Sequence, residues 1–368
     1  MSHDDHRMRC IPGDWERFIY NRTEGLVEHL NSGSRTIYMG TDITAKSLHA
    51  GHLILLLTLK QLKAGGHNII IVLGGGTSLI GDPTGRNEQR PMLNPDQIAR
   101  DIDGIKRCVS AVLGEGVRFV NNADWLSELK WIDVLRDLGP KVSVNKLIKT
   151  DTFARRLAED QGLSFLEICY PLCQAFDFVH LNREYGCTIQ CGGSDQWANI
   201  LAGVRLQGGL FGMTCPLLTD REGRKISKST ITTYNAWLNG SAFDLWQFFR
   251  NLPDGALAGM TYLDFDRSAD INEQKIAVAN CMTALVHGEA AAREACVQAA
   301  KIYAHGEIEA LPVRDVRGDQ LHKALQVLGL ANSGAEARRL VRQGAVKVDG
   351  VVVRDECVVV EKNCALMV

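Results

Sequence analysis

The apolar positions of this chain fall into short continuous runs set between polar, glycine-rich loops. "TIYMG" (36–40) is a short β-rich run, and "NIIIVL" (68–73) is a continuous apolar run like those of strands buried on both faces of a parallel sheet. Between them, "GHLILLLTLKQLKAG" (51–65) is too long and too densely apolar for a strand. It predicts a buried helix ending at Gly65-Gly66. A helical pattern over 95–113 leads into a further strand in "GVRFVNN" (116–122). Strands alternating with helices predict an α/β fold with a doubly wound parallel sheet, whose ligand crevice lies at the carboxyl ends of the strands.

The pattern changes twice further along. "AFDLWQFFRNL" (242–252) and the run from Asn272 to Gly306 read as amphipathic helices without a strand signal. "GEIEALPVRDVRGD" (306–319) breaks that pattern with proline and charge, and "QLHKALQVLGLANSGAEARRLVRQGAVKVDGVVV" (320–353) reads as two short helices and a Lys-Val-Asp-Gly hairpin. The expected organisation is an α/β domain over 1–219, a loop and all-helical domain over 220–305, a linker over 306–318, and a small α+β domain over 319–368.

Composition narrows the classes. In 368 residues, 41 Lys and Arg face 43 Asp and Glu, so any nucleic-acid contact must use a local patch rather than bulk charge. The longest apolar runs fall well short of the roughly 18–20 residues needed to cross a bilayer, and the polar start does not read as a secretory signal. The expected compartment is the cytosol. Eleven scattered cysteines fit reduced thiols. Cys169 with Cys173 and Cys187 with Cys191 have three intervening residues each, without the tight knuckle that most zinc sites use, so no metal is assigned to them.

Five stretches carry candidate chemistry. After the first strand, "GTDITAKSLHAGHL" (40–53) offers Ser47 as a helix cap, with His49 and His52 on one face of the helix's first turn and Gly51 letting a flat ligand approach, although taken alone the pair reads as two surface histidines at a helix start. "GGGTSLIGDPTGR" (74–86) lacks both the P-loop and dinucleotide patterns and reads as a tight turn, with Asp82 able to receive an ammonium group. In "YPLCQAFDF" (170–178), Tyr170, Gln174 and Asp177 share one helical stripe, a pattern most often turned to solvent. "TIQCGGSDQWANI" (188–200) runs from a strand through a Gly-Gly turn into a helix that Ser194 or Asp195 can cap. "DREGRKISKST" (220–230) puts Lys225 and Lys228 in a polar loop that, taken alone, reads as a solvated surface.

Together these stretches resemble a known family. "HAGH" and "KISKS" resemble, in the right order, the two signatures of class I aminoacyl-tRNA synthetases, and the remaining loops resemble the bacterial-type tyrosyl-tRNA synthetase family over nearly the whole chain. The resemblance implies a Rossmann-like catalytic domain that activates tyrosine with ATP and Mg²⁺ and charges tRNA(Tyr). It implies that Tyr38 and Asp177 hold the phenol, that Asp82, Tyr170 and Gln174 take the amino group, and that Gln196 lies near the carboxylate. Asp42, Thr44, His49, Gly51, His52, Gly193 and Asp195 match positions around ATP, with Thr44 and His49 toward the leaving pyrophosphate and Asp195 toward the ribose. Lys225 and Lys228 match mobile-loop lysines.

The tail resembles the small RNA-binding domain first named for ribosomal protein S-four. Arg338, Arg339, Arg342 and Lys347 there form a local cationic group suited to RNA phosphates. The segment 125–160 stands where the family places its dimer contact, which implies a homodimer. An enzyme activating another aromatic amino acid, such as tryptophan, and a non-catalytic RNA-binding paralogue are the competing readings. Both phenol ligands argue against the first, and both signatures argue against the second.

Overall fold

The computed structural model describes residues 15–84, 94–219, 237–260, 263, 265–305, 319–328, 330–331, 334–355, 357–360, 364 and 366–367. These fall into two units, one of 15–48 with 52–217 and the other of 49–51 with the residues from 218 onward. The expected linker 306–318 lies outside the described residues.

The first unit is built on a six-stranded sheet. Its strands are β1 (Asn21–Arg22), β2 (Thr36–Asp42), β3 (Asn68–Gly74), β4 (Arg118–Asn121), β5 (Cys187–Gly193) and β6 (Phe211–Cys215). The order is β1-β6-β5-β2-β3-β4, all neighbours parallel except β1 on β6. The apolar runs of the sequence are β2 and β3, side by side at the centre, where Ile37, Met39, Ile71 and Val72 are buried. The edge pair β1 and β6 was not legible, because two residues give β1 no period and β6 reads "FGMTC".

The helices of this unit are α1 (Leu26–Asn31), α2 (Leu53–Ala64), α3 (Pro95–Leu113), α4 (Ala123–Leu126), α5 (Trp131–Asp137), α6 (Val144–Leu147), α7 (Asp151–Ala158), α8 (Phe165–Tyr185) and α9 (Trp197–Leu206). In α2, Leu53, Ile54, Leu56, Leu57, Leu59 and Leu62 are all buried, which is why its apolar density exceeded that of an amphipathic stripe. The 21-residue α8 begins with a reciprocal capping box between Ser164 and Glu167 and ends at the left-handed Gly186. Its start is also tied to the preceding helix α7 by the buried ion pair of Arg156 with Glu167.

The second unit contains α10 (Ala242–Arg250), α11 (Asp254–Gly259), α12 (Ile271–His287) and α13 (Glu289–His305), with the indole of Trp246 donating to Asn280 Oδ1 at 2.7 Å between α10 and α12. Gly288 divides the long predicted helical run into two. Its C-terminal part has α14 (Leu321–Val327), α15 (Gly334–Gln343) and the strands β7 (Lys347–Val348), β8 (Val351–Val352) and β9 (Leu366–Met367), around a core of Leu321, Leu325, Val341 and Val346. Asp349 and Gly350 turn the hairpin with φ of 50° and 81°, the conformation an Asp-Gly turn supplies most readily. The sequence pattern did not reveal β9, which pairs with β7 on the side away from β8.

Candidate active site

The carboxyl ends of β2, β3, β4 and β5 and one face of α8 assemble the predicted residues. Tyr170 and Asp177 on α8 are buried and Gln174 half-buried, so the polar stripe points inward rather than to solvent. Asp42, Asp82 and Asp177 all push the Tyr170 hydroxyl above its usual range, after the larger effect of burial, which places that tyrosine among three carboxylates.

At one end, Tyr38 on β2 is 1% exposed and its hydroxyl has no hydrogen-bond partner among the described residues. Its phenol is held well above its usual pKa by burial and by Asp177. The Asp177 carboxylate accepts from the indole N–H of Trp125 at 2.7 Å and from the Asn122 amide at 2.9 Å. Burial pushes its pKa up to about 7, the two donors oppose that shift, and Asp42 adds to it. Gln190, the register partner of Tyr38 on β5, also presents a buried carbonyl oxygen without a partner. The sequence reading missed Asn122, Trp125 and Gln190.

At the other end, the Gln196 amide donates to Asp82 Oδ2 at 2.8 Å, and the Thr84 backbone N–H donates to Asp82 Oδ1 at 2.9 Å. Asn199, also missed, draws the group together: its amide donates to Gln174 Oε1 at 3.1 Å and to Gln196 Oε1 at 3.3 Å. Between the two ends, Asp42 accepts from the Tyr170 hydroxyl at 3.0 Å and from the Thr77 hydroxyl at 2.8 Å. The six residues assigned to the amino acid are therefore brought together at these strand ends.

Four local expectations need correction. Ser47 does not cap a helix; it is buried, donates to the Leu48 carbonyl and meets the Cys108 thiol at 3.2 Å, and α2 begins only at Leu53. His49 and His52 do not share the first turn of that helix. His49 pairs with Trp237 in an isolated bridge, and His52 closes the 3-10 turn Ala50–His52 and is the N-cap residue of α2. Gly51 suits this turn, because a Cβ there would stand 3.0 Å from the His49 ring and press it aside. Its N–H donates to His49 Nδ1 at 3.2 Å, so in the neutral imidazole Nε2 carries the proton. Finally, Gly192 and Gly193 end strand β5 instead of forming a turn, and neither Ser194 nor Asp195 caps α9, whose N-cap residue is Gln196.

Thr44 follows β2 with its N–H on the Asp42 carbonyl, and Asp195 approaches Gly193 so closely that a Cβ there would meet its carboxylate at 2.7 Å. Lys225 and Lys228 lie outside the described residues. In the C-terminal part, Arg338, Arg339 and Arg342 on α15 and Lys347 on β7 are exposed. Arg338 contacts His322 Nε2 at 3.2 Å, and Arg339 stands 3.7 Å from Glu336.

Comparison with known proteins places this arrangement. The profile of tRNA synthetases class I (W and Y) matches residues 31–304, and that of the S4 domain matches residues 321–362. The tyrosine–tRNA ligase of Pseudomonas aeruginosa is 40% identical over 386 residues, spanning 96% of this chain and 93% of that one. That of Dinoroseobacter shibae is 38% identical over 372 residues, spanning 92% and 89%. A solved C-terminally truncated mitochondrial tyrosyl-tRNA synthetase from Aspergillus nidulans superposes with a TM-score of 0.64 at 27% identity, covering 78% of this chain and 92% of that one. By this likeness along nearly its whole length, the chain belongs to the class I tRNA synthetases of the tryptophan and tyrosine group.

Proposed function

We propose that this protein is a tyrosine–tRNA ligase, which joins L-tyrosine to ATP as tyrosyl-adenylate and then passes the tyrosyl group to the 3′-terminal adenosine of tRNA(Tyr). The observation that carries the choice of amino acid is the buried Tyr38 hydroxyl, unpartnered beside the buried Asp177 carboxylate. A substrate phenol accepts from the Tyr38 hydroxyl and donates to the Asp177 carboxylate, whereas phenylalanine leaves the Tyr38 hydroxyl buried and unpaired, at about 1–3 kcal/mol, and adds no donor to those that Asn122 and Trp125 supply to Asp177. Tyrosyl-tRNA synthetase is the known case of rejection in this mode, in which a site that hydrogen-bonds a substrate hydroxyl refuses the analogue lacking it.

In the first step the tyrosine carboxylate, already ionised near neutrality, attacks the α-phosphorus of ATP. The new carboxyl oxygen–phosphorus bond replaces the bond to the β-phosphate oxygen, and pyrophosphate leaves. No general base is required, so the protein's task is positioning and charge stabilisation. Asp82, Tyr170 and Gln174 receive the ammonium group and Gln196 lies by the carboxylate. Asp42, Gly51, His52, Gly193 and Asp195 line the nucleotide, while Thr44, His49, Lys225 and Lys228 act on the separating pyrophosphate. Mg²⁺ accompanies the ATP phosphates, with no protein ligand assigned. In the second step a terminal ribose hydroxyl of the tRNA attacks the activated carbonyl and AMP departs.

The remaining assignments belong to the same proposal. Residues 1–219 form the catalytic domain, 220–305 the signature loop and anticodon-arm domain, and 319–368 the RNA-binding domain, whose Arg338, Arg339, Arg342 and Lys347 contact tRNA phosphates. A homodimer forms through 125–160, which is supported by Trp131, Ile132, Leu135, Val144 and Leu157, all at least 47% exposed. The enzyme works in the cytoplasm; no helix among the described residues is long and apolar enough to cross a membrane. The deciding experiment is exchange of pyrophosphate into ATP with tyrosine, tryptophan or phenylalanine present. Exchange with tyrosine in strong preference is expected, and exchange driven by tryptophan, or by none of the three, refutes the proposal.

A further inference from the structure

The hydrogen bonds at the strand ends form one chain with a fixed polarity. Thr77, in the turn after β3, is 3% exposed, and Asn122, just after β4, is 1% exposed. The Asn122 amide nitrogen donates both to Asp177 Oδ2 at 2.9 Å and to the Thr77 hydroxyl at 3.1 Å, while its carbonyl accepts from the Gly76 N–H at 2.8 Å. That N–H fixes the amide's orientation, since a flipped side chain would set donor against donor at Gly76 and acceptor against carboxylate at Asp177. With one lone pair of its oxygen taken by Asn122, the Thr77 hydroxyl donates its single proton to Asp42 Oδ1 at 2.8 Å, and Tyr170 donates to Asp42 Oδ2.

The chain Asp177–Asn122–Thr77–Asp42–Tyr170 therefore crosses the carboxyl ends of β4, β3 and β2 from the phenol end of the crevice to the carboxylate assigned to the nucleotide. The backbone is built for it. A Cβ on Gly74 would lie 2.5 Å from both Asp42 Oδ1 and Thr77 Oγ1, and one on Gly75 would lie 2.3 Å from Asn121 Oδ1. The glycines of "GGGT" thus serve a close approach of side chains rather than a phosphate loop.

We propose that Thr77 and Asn122 are positioning residues that couple the two halves of the site, so that tyrosine held at Asp177 and nucleotide held beside Asp42 bind cooperatively through this chain. The inference rests on the tyrosine–tRNA ligase reading given above. A phenol that donates to Asp177 orders that carboxylate, and order passes through the amide and the hydroxyl to Asp42. The nucleotide then meets a carboxylate already fixed and loses less conformational freedom on binding. Neither Thr77 nor Asn122 needs to touch the reacting atoms for this.

The test is a linkage measurement. Tyrosine affinity is measured by calorimetry with and without a non-hydrolysable ATP analogue, for the native protein, Thr77→Val and Thr77→Ser. In the native protein the analogue tightens tyrosine binding about fivefold or more, the lower range of ordinary coupling. Thr77→Val, which keeps the shape and removes the hydroxyl, brings that factor close to one, whatever it does to either ligand alone, and Thr77→Ser restores it. A merely structural role moves affinities but not their mutual dependence. If the valine variant melts early, Thr77→Ala decides by the same factor. A native factor near one, an unchanged factor in the variant lacking the hydroxyl, or failure of serine to restore it overturns the proposal. Tyrosine-dependent pyrophosphate exchange by the native protein separates the two levels. If it is present, such a result removes only the coupling chain; if it is absent, the ligase reading falls and the coupling falls with it.

Discussion

Replacing Asp177 with asparagine removes a charge that the fold holds at a cost. Burial lifts this carboxyl from the usual 3.8 to about 7. Between those values the folded chain binds a proton that the unfolded chain has lost. The contribution of the neutral acid to stability is thus complete below about 3.8 and is lost as pH rises to about 7. At 1.36 kcal/mol per pH unit, the loss amounts to roughly 1.5 kcal/mol at pH 5 and roughly 4 kcal/mol at pH 8. Asp177 is 4% exposed, so solvent screening removes little of this. Asp177→Asn abolishes the titration, while setting its own amide against the Asn122 donor costs about 1–3 kcal/mol at any pH. The variant is therefore expected to gain about 1–3 kcal/mol relative to the native protein at pH 8 and to break even or lose at pH 5. The difference between the two conditions, roughly 3 kcal/mol, is independent of the amide penalty. Urea unfolding at both pH values, with hydrogen exchange of the β2 and β3 amides as the local probe, measures it. Equal effects at both pH values, or a larger gain at pH 5, would refute the reasoning.

Other substitutions probe the supports of the site. Trp125→Phe deletes one of the two donors to Asp177, a charge-assisted hydrogen bond of about 1.5–3 kcal/mol, and so deepens the shortage of donors at that carboxylate; stability at pH 8 should fall while the ratio of kcat/KM for tyrosine over phenylalanine in pyrophosphate exchange is kept or rises. A ratio that fell about tenfold would contradict the role given to the indole. Gly74→Ala forces Asp42 and Thr77 apart and should abolish activation while circular dichroism stays native. Arg156→Ala leaves the Glu167 carboxylate buried without its ion-pair partner and should destabilise the protein by about 3–5 kcal/mol, seen as a lower melting temperature; a loss below about 1 kcal/mol would count against it. Joint replacement of Arg338, Arg339 and Arg342 by alanine should weaken tRNA binding and flatten its salt dependence by about one log-log unit for each phosphate left without its cation. Pyrophosphate exchange should be unaffected, because activation does not involve tRNA.

The sequence revealed the central strands because their runs are apolar on both faces, and the buried helix α2 because its leucines exceed what one stripe can hold. It also revealed Tyr170, Gln174 and Asp177 as one face of α8, but not which way that face points. Direction depends on what packs around α8, which no local period contains. The residues it missed share a physical reason. Asn122 and Trp125 lie 55 and 52 positions before the carboxylate they serve, the first at the end of a predicted strand and the second in α4, whose four residues are too few to show a period. Asn199 sits in the apolar opening of α9, where a buried amide among Ile200 and Leu201 was the one available hint. The misplaced histidines arose because a 3-10 turn ending at His52 is indistinguishable in pattern from a first α-helical turn.

The identity of the groups around Asp177 bears on selectivity. An arginine or lysine beside this buried carboxylate would lower its pKa and occupy the lone pairs facing it. Asn122 and Trp125 are neutral donors, each reaching one oxygen, and they leave the pKa at about 7. A carboxylate has about four acceptor positions, so two neutral donors leave capacity for a ligand hydroxyl. Under the proposed role of Asp177, the same weak support that makes its ionised form destabilising in the free protein makes a substrate phenol valuable to it, since the phenol supplies the missing donor. On that proposal, discrimination against phenylalanine and the pH-dependent loss of stability are two readings of one electrostatic deficit. A cation introduced at position 122 or 125 should diminish both together: stability at pH 8 should rise and preference for tyrosine should fall. A variant such as Asn122→Lys that gained stability while keeping full preference would separate the two and disprove their common origin.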